Sequence, residues 1–246
     1  VTAEPTKDPT AYAESSLYPA VLELFHGADP GRILDVPAGQ GAFAGELLAR
    51  GYGDVHCLDI LEDFKLEGVA FTPYDAREPL PFGDETFDYV FSIEGLEHFD
   101  SPFTFVEELC RVLKSGGRLY LTTPNTFSVD ARLKYLISGY FPRFRPLMQE
   151  PERLLSVGDI TDTHIAPIYF WQLNYFLLKS GVSIQRLSTN ALLRKRQWPK
   201  RLFEAWIAGV IRRNIRRRGF PDPGITSEAV LFGDCLILEG VKQPRP

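Results

Sequence analysis

The sequence predicts an α/β domain built on a doubly wound, mostly parallel sheet, on three observations. A short apolar run, Ile33-Leu34-Asp35-Val36, meets Pro37-Ala38-Gly39-Gln40-Gly41, after which Phe43, Leu47 and Leu48 open a helical stripe. Strand-like and helix-like runs then alternate as far as Pro124. The last two strand-like runs, 182–187 and 235–241, flank a gap holding a basic segment and can pair as a long-looped antiparallel hairpin.

In chain order, residues 1–15 read as a loose arm, and Leu17–Phe25 as a short helix with Leu17, Val21, Leu24 and Phe25 on one face. The first strand, 32–36, feeds the glycine loop, and the following helix stops near Arg50 at Gly51 and Gly53. A second strand, Val55–Asp59, again ends in an acid, and Pro73 demotes a third, 71–75, toward a sheet edge. Residues 87–93 and 118–122 are the fourth and fifth strands. Between them, 103–113 is helical, with Phe105, Val106, Leu109 and Val112 apolar and Ser115-Gly116-Gly117 as its stop. After Pro124-Asn125 the pattern loosens for about forty residues, long enough to read as a functional insertion. Helix signal returns over 169–179.

Nothing in the length of 246 residues forces a second domain. The expected organisation is one domain over 1–246, with a core at 17–125 and 180–242, an acceptor-side insertion at about 125–180 and a basic helical segment at 194–218. Cys57, Cys110 and Cys235 lie far apart inside apolar runs, without metal-ligand spacing, and read as small buried hydrophobes of a reducing compartment. No apolar run approaches the roughly 18 residues that span a bilayer, and the N-terminus lacks a signal-like apolar stretch, so a cytoplasmic chain is expected. Val1 is not a methionine, which leaves open that residues precede it.

Asp35, Asp59 and Asp75 stand at three strand ends. In a doubly wound sheet the ligand lies beyond the carboxyl ends of the strands, so the three would line one crevice. Asp59, eighteen residues past Gly41, is placed to accept from a ribose diol. Asp75 is placed to accept from an adenine amino group, and Asp35 to face the positive end of a ligand or brace the loop. Gly39-x-Gly41-x-x-Ala44 also fits a dinucleotide fingerprint, but an acid flanking the loop repels a pyrophosphate and suits a cationic sulfonium.

Taken together, Asp35-x-x-x-Gly39-x-Gly41, Asp59, Asp75, the run from Leu80-Pro81-Phe82 to Asp88-Tyr89-Val90, Glu97-His98 and Leu113-Lys114-Ser115-Gly116-Gly117-Arg118-Leu119 resemble class I S-adenosylmethionine-dependent methyltransferases. The resemblance covers about 17–125 and departs at Pro37-Ala38, where the family usually has glycine and a small residue. It implies a seven-stranded sheet with an antiparallel last strand. It also implies methionyl contacts from Asp35 and Gly39, ribose contacts from Asp59, adenine contacts from Asp75 and Ala76, and flanking by Ser92 and Ile93. Pro37, Ala38, Gly41 and Ile60 complete the expected cofactor-binding set.

Methyl transfer from a sulfonium needs the acceptor aligned in line and, for a hydroxyl, its proton removed. Glu94, Glu97 and His98 are spaced so that one helical turn would bring them together. With His164 they are similar to the ExxEH...H metal set of small-RNA 2′-O-methyltransferases and, in part, ubiquinone-pathway O-methyltransferases. That similarity implies a divalent ion, Mg or Mn, held by Glu94, Glu97, His98 and His164. Without metal, His98, His164 and Glu94 are the expected catalytic groups, and a purely structural role stays open. Tyr135, Tyr140, Phe141, Phe144, Tyr169, Phe170, Trp171 and Tyr175 are expected to cover the acceptor pocket or to fill the core of the insertion.

Residues 194–218 hold ten basic residues and one acid, Glu204, a charge of +9 that leaves −14 for the rest of a chain of net charge −5. Phe203, Trp206, Ile207, Val210, Ile211 and Ile215 recur there at helical spacing. An anionic membrane, a phosphate-bearing partner, or a helix packed on the domain with arginines complementing its own dipole all fit this pattern. The expected function is S-adenosylmethionine-dependent O-methylation of a small-molecule or glycan acceptor. The alternatives are an RNA 2′-O-methyltransferase, a nicotinamide-dependent oxidoreductase and a non-catalytic S-adenosylmethionine-binding module.

Overall fold

The computed structural model describes residues 9–144, 164–193, 197–219 and 224–244. In order these form α1 (Leu17–Phe25), β1 (Ile33–Asp35), α2 (Ala42–Ala49), β2 (Val55–Asp59), β3 (Ala70–Pro73), β4 (Phe87–Ser92), a 3₁₀ turn (Leu96–His98) and α3 (Pro102–Val112). They continue with β5 (Leu113–Pro124), α4 (Val129–Ser138), α5 (Phe170–Lys179), β6 (Val182–Thr189), α6 (Trp198–Arg218), α7 (Glu228–Phe232) and β7 (Cys235–Lys242).

The sheet has seven strands in the order β3-β2-β1-β4-β5-β7-β6. Neighbours from β3 to β5 are parallel, and β7 runs antiparallel to both β5 and β6. The expected closing hairpin therefore forms, with β7 wedged between β5 and β6. The strand order reverses between β1 and β4, and a crevice opens there at the carboxyl ends. Apolar side chains fill both faces. Phe25 of α1 meets Tyr89, Phe91 and Tyr120 edge-on at 5.0–5.5 Å on one. On the other, Phe105, Val106 and Leu109 of α3 pack with Leu173 and Leu177 of α5.

The helix expected over 103–113 ends earlier, at Val112, and the fifth strand begins at Leu113 rather than Arg118. Ser115-Gly116-Gly117 is thus part of β5, not a helix stop. Leu113 pairs with Phe87, the register slips between Phe87 and Tyr89, and a Cβ on Gly117 would lie 2.9 Å from the Asp88 carbonyl. The glycines let the strand bend past its neighbour.

The basic segment also departs from expectation. Arg194-Lys195-Arg196 lies outside the described residues. In α6 the packed stripe is Glu204, Ile207, Ala208, Ile211 and Ile215, turned toward Val129 of α4 and Leu231 of α7. Phe203, Trp206 and Val210, expected in that stripe, are exposed. Small Ala208 admits its neighbours closely, which bulky Phe203 or Trp206 at that place would prevent. The three cysteines are free and buried. Among the described residues no helix is long and apolar enough to cross a membrane.

Candidate active site

At the carboxyl ends of β1, β2 and β4 lies a cavity of about 640 Å³, within the usual range for a small-ligand site. One end is the glycine loop. Gly39 (φ 55°) and Gly41 (φ 92°) occupy left-handed conformations that other residues rarely adopt. Asp59 holds the loop from the next strand: its carboxylate accepts from Gly39 N–H at 2.7 Å and from Leu61 N–H at 2.9 Å. Two lone-pair sites remain free for a ligand.

Asp35 is buried, and its Oδ2 accepts no hydrogen bond. Burial, reinforced by the nearby charge of Asp59, holds its pKa well above the usual carboxylate value. A buried acid lining a cavity without a full set of partners is chemically prepared for a cation. Pro37, which departs from the usual motif, follows a cis peptide bond and is matched by Gly95 after β4. A Cβ at Gly95 would lie 2.5 Å from the Pro37 ring.

Of the expected cofactor residues, Asp35, Pro37, Ala38, Gly39, Asp59, Ile60, Asp75, Ala76 and Ile93 line the cavity. Two do not. Gly41 caps α2, and Phe64 and Leu66 crowd its α-carbon from outside, so its role is the turn. Ser92 is fully buried in β4, its hydroxyl beside the space that Gly95 leaves open. Asp75 lies beyond β3, which ends at Pro73, and its carboxylate is paired with Arg77 at 2.5 Å. That pairing holds its pKa below the usual value.

At the acceptor end the expected single helical turn does not form. Glu94 has a left-handed backbone (φ 50°), and only Leu96–His98 makes a turn. Glu94 still lines the cavity but stands apart from Glu97 and His98, its carboxylate accepting from Arg143 at 3.3 Å and from the Thr122 hydroxyl at 3.4 Å. Burial, partly offset by Arg143, pushes its pKa up to about 7.

Glu97, His98 and His164 do come together, with one possible ligand atom from each lying within 4.8 Å of the others. The imidazoles meet edge-on at 4.8 Å. Glu97 is fully buried; Thr123 donates to its Oε2 at 3.2 Å, while its Oε1 and the Nδ1 of His164 have no hydrogen-bond partner. Burial and the charge of Glu94 raise the pKa of Glu97, whereas burial, then His98 and Arg143, lower that of His164 to about 4.

Two contributors were not expected. The arm read as loose lines the cavity with Thr10, Tyr12, Ala13 and Glu14. Its Thr10 N–H donates to Gln40 Oε1 at 2.9 Å, and the Tyr12 ring lies over Gly39. Arg143 lines the cavity and donates to Glu14 at 2.5 Å and Asp234 at 2.6 Å besides Glu94. Among the described residues none of the insertion's aromatics lines the cavity, whose Tyr and Phe rings are Tyr12, Tyr18, Phe43, Tyr74 and Phe99; of the two expected roles, core filling is the one seen. Phe141 and Phe144 instead form a small core with Ala131, and Phe144 rests against His164 at 5.4 Å.

A family model described as a methyltransferase domain matches residues 34–121, the span that carries the glycine loop, all three acids and the Glu97-His98 turn. Residues 34–121 thus match a methyltransferase domain, and the seven-stranded sheet around them has the Rossmann-like methyltransferase fold. The chain is 35% identical over 108 residues to a malonyl-[acyl-carrier protein] O-methyltransferase of Methylococcus capsulatus, covering 39% of this chain and 38% of that protein. It is 36% identical over 137 residues to a demethylmenaquinone methyltransferase of Beutenbergia cavernae, covering 51% of this chain and 56% of that protein. The matched spans thus reach less than two thirds of these relatives. The fold extends further than the sequence match. A putative methyltransferase of Bacillus halodurans superposes with a TM-score of 0.56 at 19% identity, over 93% of this chain and all of that one.

Proposed function

We propose that this domain moves the methyl group of S-adenosylmethionine to an oxygen of a small-molecule or glycan acceptor. One observation carries the reading: Asp35, the buried and partly unpartnered acid before the glycine loop, and the imidazoles of His98 and His164 border the same enclosure, with Glu97 buried behind them. Asp35 suits the cationic end of the donor, and Asp59 and Asp75 its ribose and adenine. In the reaction an acceptor oxygen forms the new C–O bond as the C–S bond breaks, the electron pair staying on sulfur to leave S-adenosylhomocysteine. The acceptor proton passes to an imidazole nitrogen of His98 or His164. Most of the rate would come from alignment, with proton removal contributing about 10²–10⁴-fold.

The unpartnered Glu97 Oε1 and His164 Nδ1 favour a second reading of the same cluster. Glu97, His98 and His164 would hold a divalent ion such as Mg or Mn, which supplies a Lewis acid that lowers the pKa of a bound hydroxyl. Glu94 belongs with Arg143 instead, so the fit is three protein ligands rather than four.

Thermal shifts with S-adenosylmethionine, S-adenosylhomocysteine and NAD test the donor. Stabilisation by the first two and not the third is expected, and stabilisation by NAD alone would overturn the reading. Mass spectrometry of hydroxyl, carboxyl, amine and carbon acceptors then tests the atom, with an oxygen-linked methyl expected. For the metal, magnesium or manganese is expected to raise the melting temperature of the native chain and not of Glu97→Ala; equal shifts, with turnover indifferent to chelator, remove it.

A further inference from the structure

Helix α6 has two faces, and the fold uses one. Glu204, Ile207, Ala208, Ile211, Arg212 and Ile215 form a single helical stripe toward the protein; Glu204 and Ala208 are buried, and Arg212 Nε donates to the Thr226 carbonyl at 3.3 Å. The other face carries Trp198, Leu202, Phe203, Trp206 and Val210, respectively 72, 62, 51, 65 and 49% exposed. Their spacing keeps them on one side of a helix roughly 30 Å long. Arg213 and Arg217 prolong the same line past Val210, and Arg216, Arg217 and Arg218 form the last turn. Packed beside α6, α4 ends with Leu136 and Ile137, 79 and 86% exposed.

A contiguous row of large apolar side chains in water marks a surface meant to be covered, and charge selects what covers it. From Trp198 to Arg218 there are seven basic residues and one acid, and that acid, Glu204, is buried on the protein-facing side. The exposed face is therefore apolar and purely cationic, on a chain of net charge −5. A second copy joined about a twofold axis would bring one cationic helix against another. Nucleic acid would use the arginines but leave Leu202 and Val210 in water. A bilayer interface with anionic headgroups satisfies both: indole and phenyl rings at the headgroup boundary, guanidinium groups on lipid phosphates.

We propose that α6 docks this protein on an anionic membrane surface, with Trp198, Leu202, Phe203 and Trp206 inserted at the headgroup boundary and Arg213, Arg216 and Arg217 on the lipid phosphates. The helix lies along the surface and does not cross it.

Co-sedimentation of the full chain with vesicles of phosphatidylcholine alone, or mixed with phosphatidylglycerol, tests this without reference to activity. Binding to the mixed vesicles, weakened by salt, is expected. Arg213→Gln with Arg217→Gln should lower the partition constant about 25-fold, the product of a fivefold loss for each charge. Phe203→Ser with Trp206→Ser should abolish binding; because both side chains are exposed, the melting temperature should stay unchanged. Absent binding, equal binding to neutral vesicles, dimerisation lost in the Phe203→Ser/Trp206→Ser variant without vesicle binding, or retention of single-stranded RNA in place of vesicles would each overturn the proposal.

Discussion

The two ends of the cavity are assembled in different ways. At the cofactor end, Asp35 closes β1 and Asp59 closes β2, and the parallel pairing of Ile33 with Val55 and Asp35 with Cys57 sets both carboxylates by strand register. At the acceptor end, Glu97 and His98 sit on a one-turn 3₁₀ segment, Arg143 lies five residues past α4, His164 comes from later in the insertion and Glu14 from the arm. Register fixes the first set through backbone hydrogen bonds that any apolar strand would make. The second set depends on side-chain contacts between distant segments, with two backbone bonds, from Ile165 and Ala166 N–H to the Glu97 carbonyl at 2.9 and 3.0 Å, bringing His164 to the turn. Substitutions should therefore separate the ends cleanly: cofactor-end changes in ligand affinity, acceptor-end changes in turnover.

The largest separation is expected at His98. His98→Ala should lower kcat by about 10²–10³-fold while leaving S-adenosylmethionine affinity within error by titration calorimetry. A matching loss of affinity would show that the two ends are one unit. Asp59→Ala should do the reverse. It removes the carboxylate that Gly39 and Leu61 donate to, and losing charge-assisted hydrogen bonds of about 1.5–3 kcal/mol predicts donor binding about 10- to 150-fold weaker. In that variant kcat at saturating donor should fall far less.

A third, pH-dependent effect distinguishes the charges of donor and product. Asp35 has its pKa raised well above 3.8 by burial and by Asp59. Its native-state contribution is fully present below the unfolded value of 3.8 and is lost as pH rises through the raised value, so the unliganded protein should lose stability on that limb. A cationic donor favours the ionised carboxylate and offsets the loss. S-adenosylmethionine affinity should accordingly rise with pH, by up to about tenfold per unit below the native pKa. S-adenosylhomocysteine, lacking the sulfonium, should show a shallower slope, and Asp35→Asn should flatten both. Parallel slopes for the two ligands in the native protein would mean that Asp35 does not sense the sulfonium.

The same contrast explains what could be read from the residues alone. The strand–loop–helix order and the acids that close β1 and β2 are written in short-range patterns: an apolar run, a glycine pair, a terminal acid; the antiparallel closing strand follows from the long-looped pairing of 182–187 with 235–241 and from the family resemblance. Glu94 lines the cavity but stands outside the Glu97-His98-His164 group: its spacing matches a helical turn, whereas Gly95 must lie flat against Pro37 and Glu94 takes a left-handed conformation that breaks the turn. Arg143 carries no local signal: its partners Glu14 and Asp234 lie 129 and 91 residues away. In α6 the helical period was visible, but not which side of it Ala208 turns inward.

The smallest effect probes the one place where the arm, the least patterned stretch of the chain, bears on the glycine loop, the most patterned. Gly39 has two separate reasons to be glycine. Its φ of 55° would cost an alanine about 1–2 kcal/mol in any surroundings. A Cβ there would also lie 2.9 Å from the Tyr12 ring. Tyr12 is 63% exposed, so the ring can swing outward and the clash becomes a loss of the arm's contact rather than a break in the core. Gly39→Ala should therefore destabilise by about 1–2 kcal/mol from φ, plus about 0.5–1 kcal/mol shared with Tyr12. In a Tyr12→Ala background only the φ part should remain. A double-mutant cycle by denaturant titration reads the difference directly. A coupling near zero would mean that the arm rests on the loop without holding it, and the cavity's cofactor end would then be built by the strands alone.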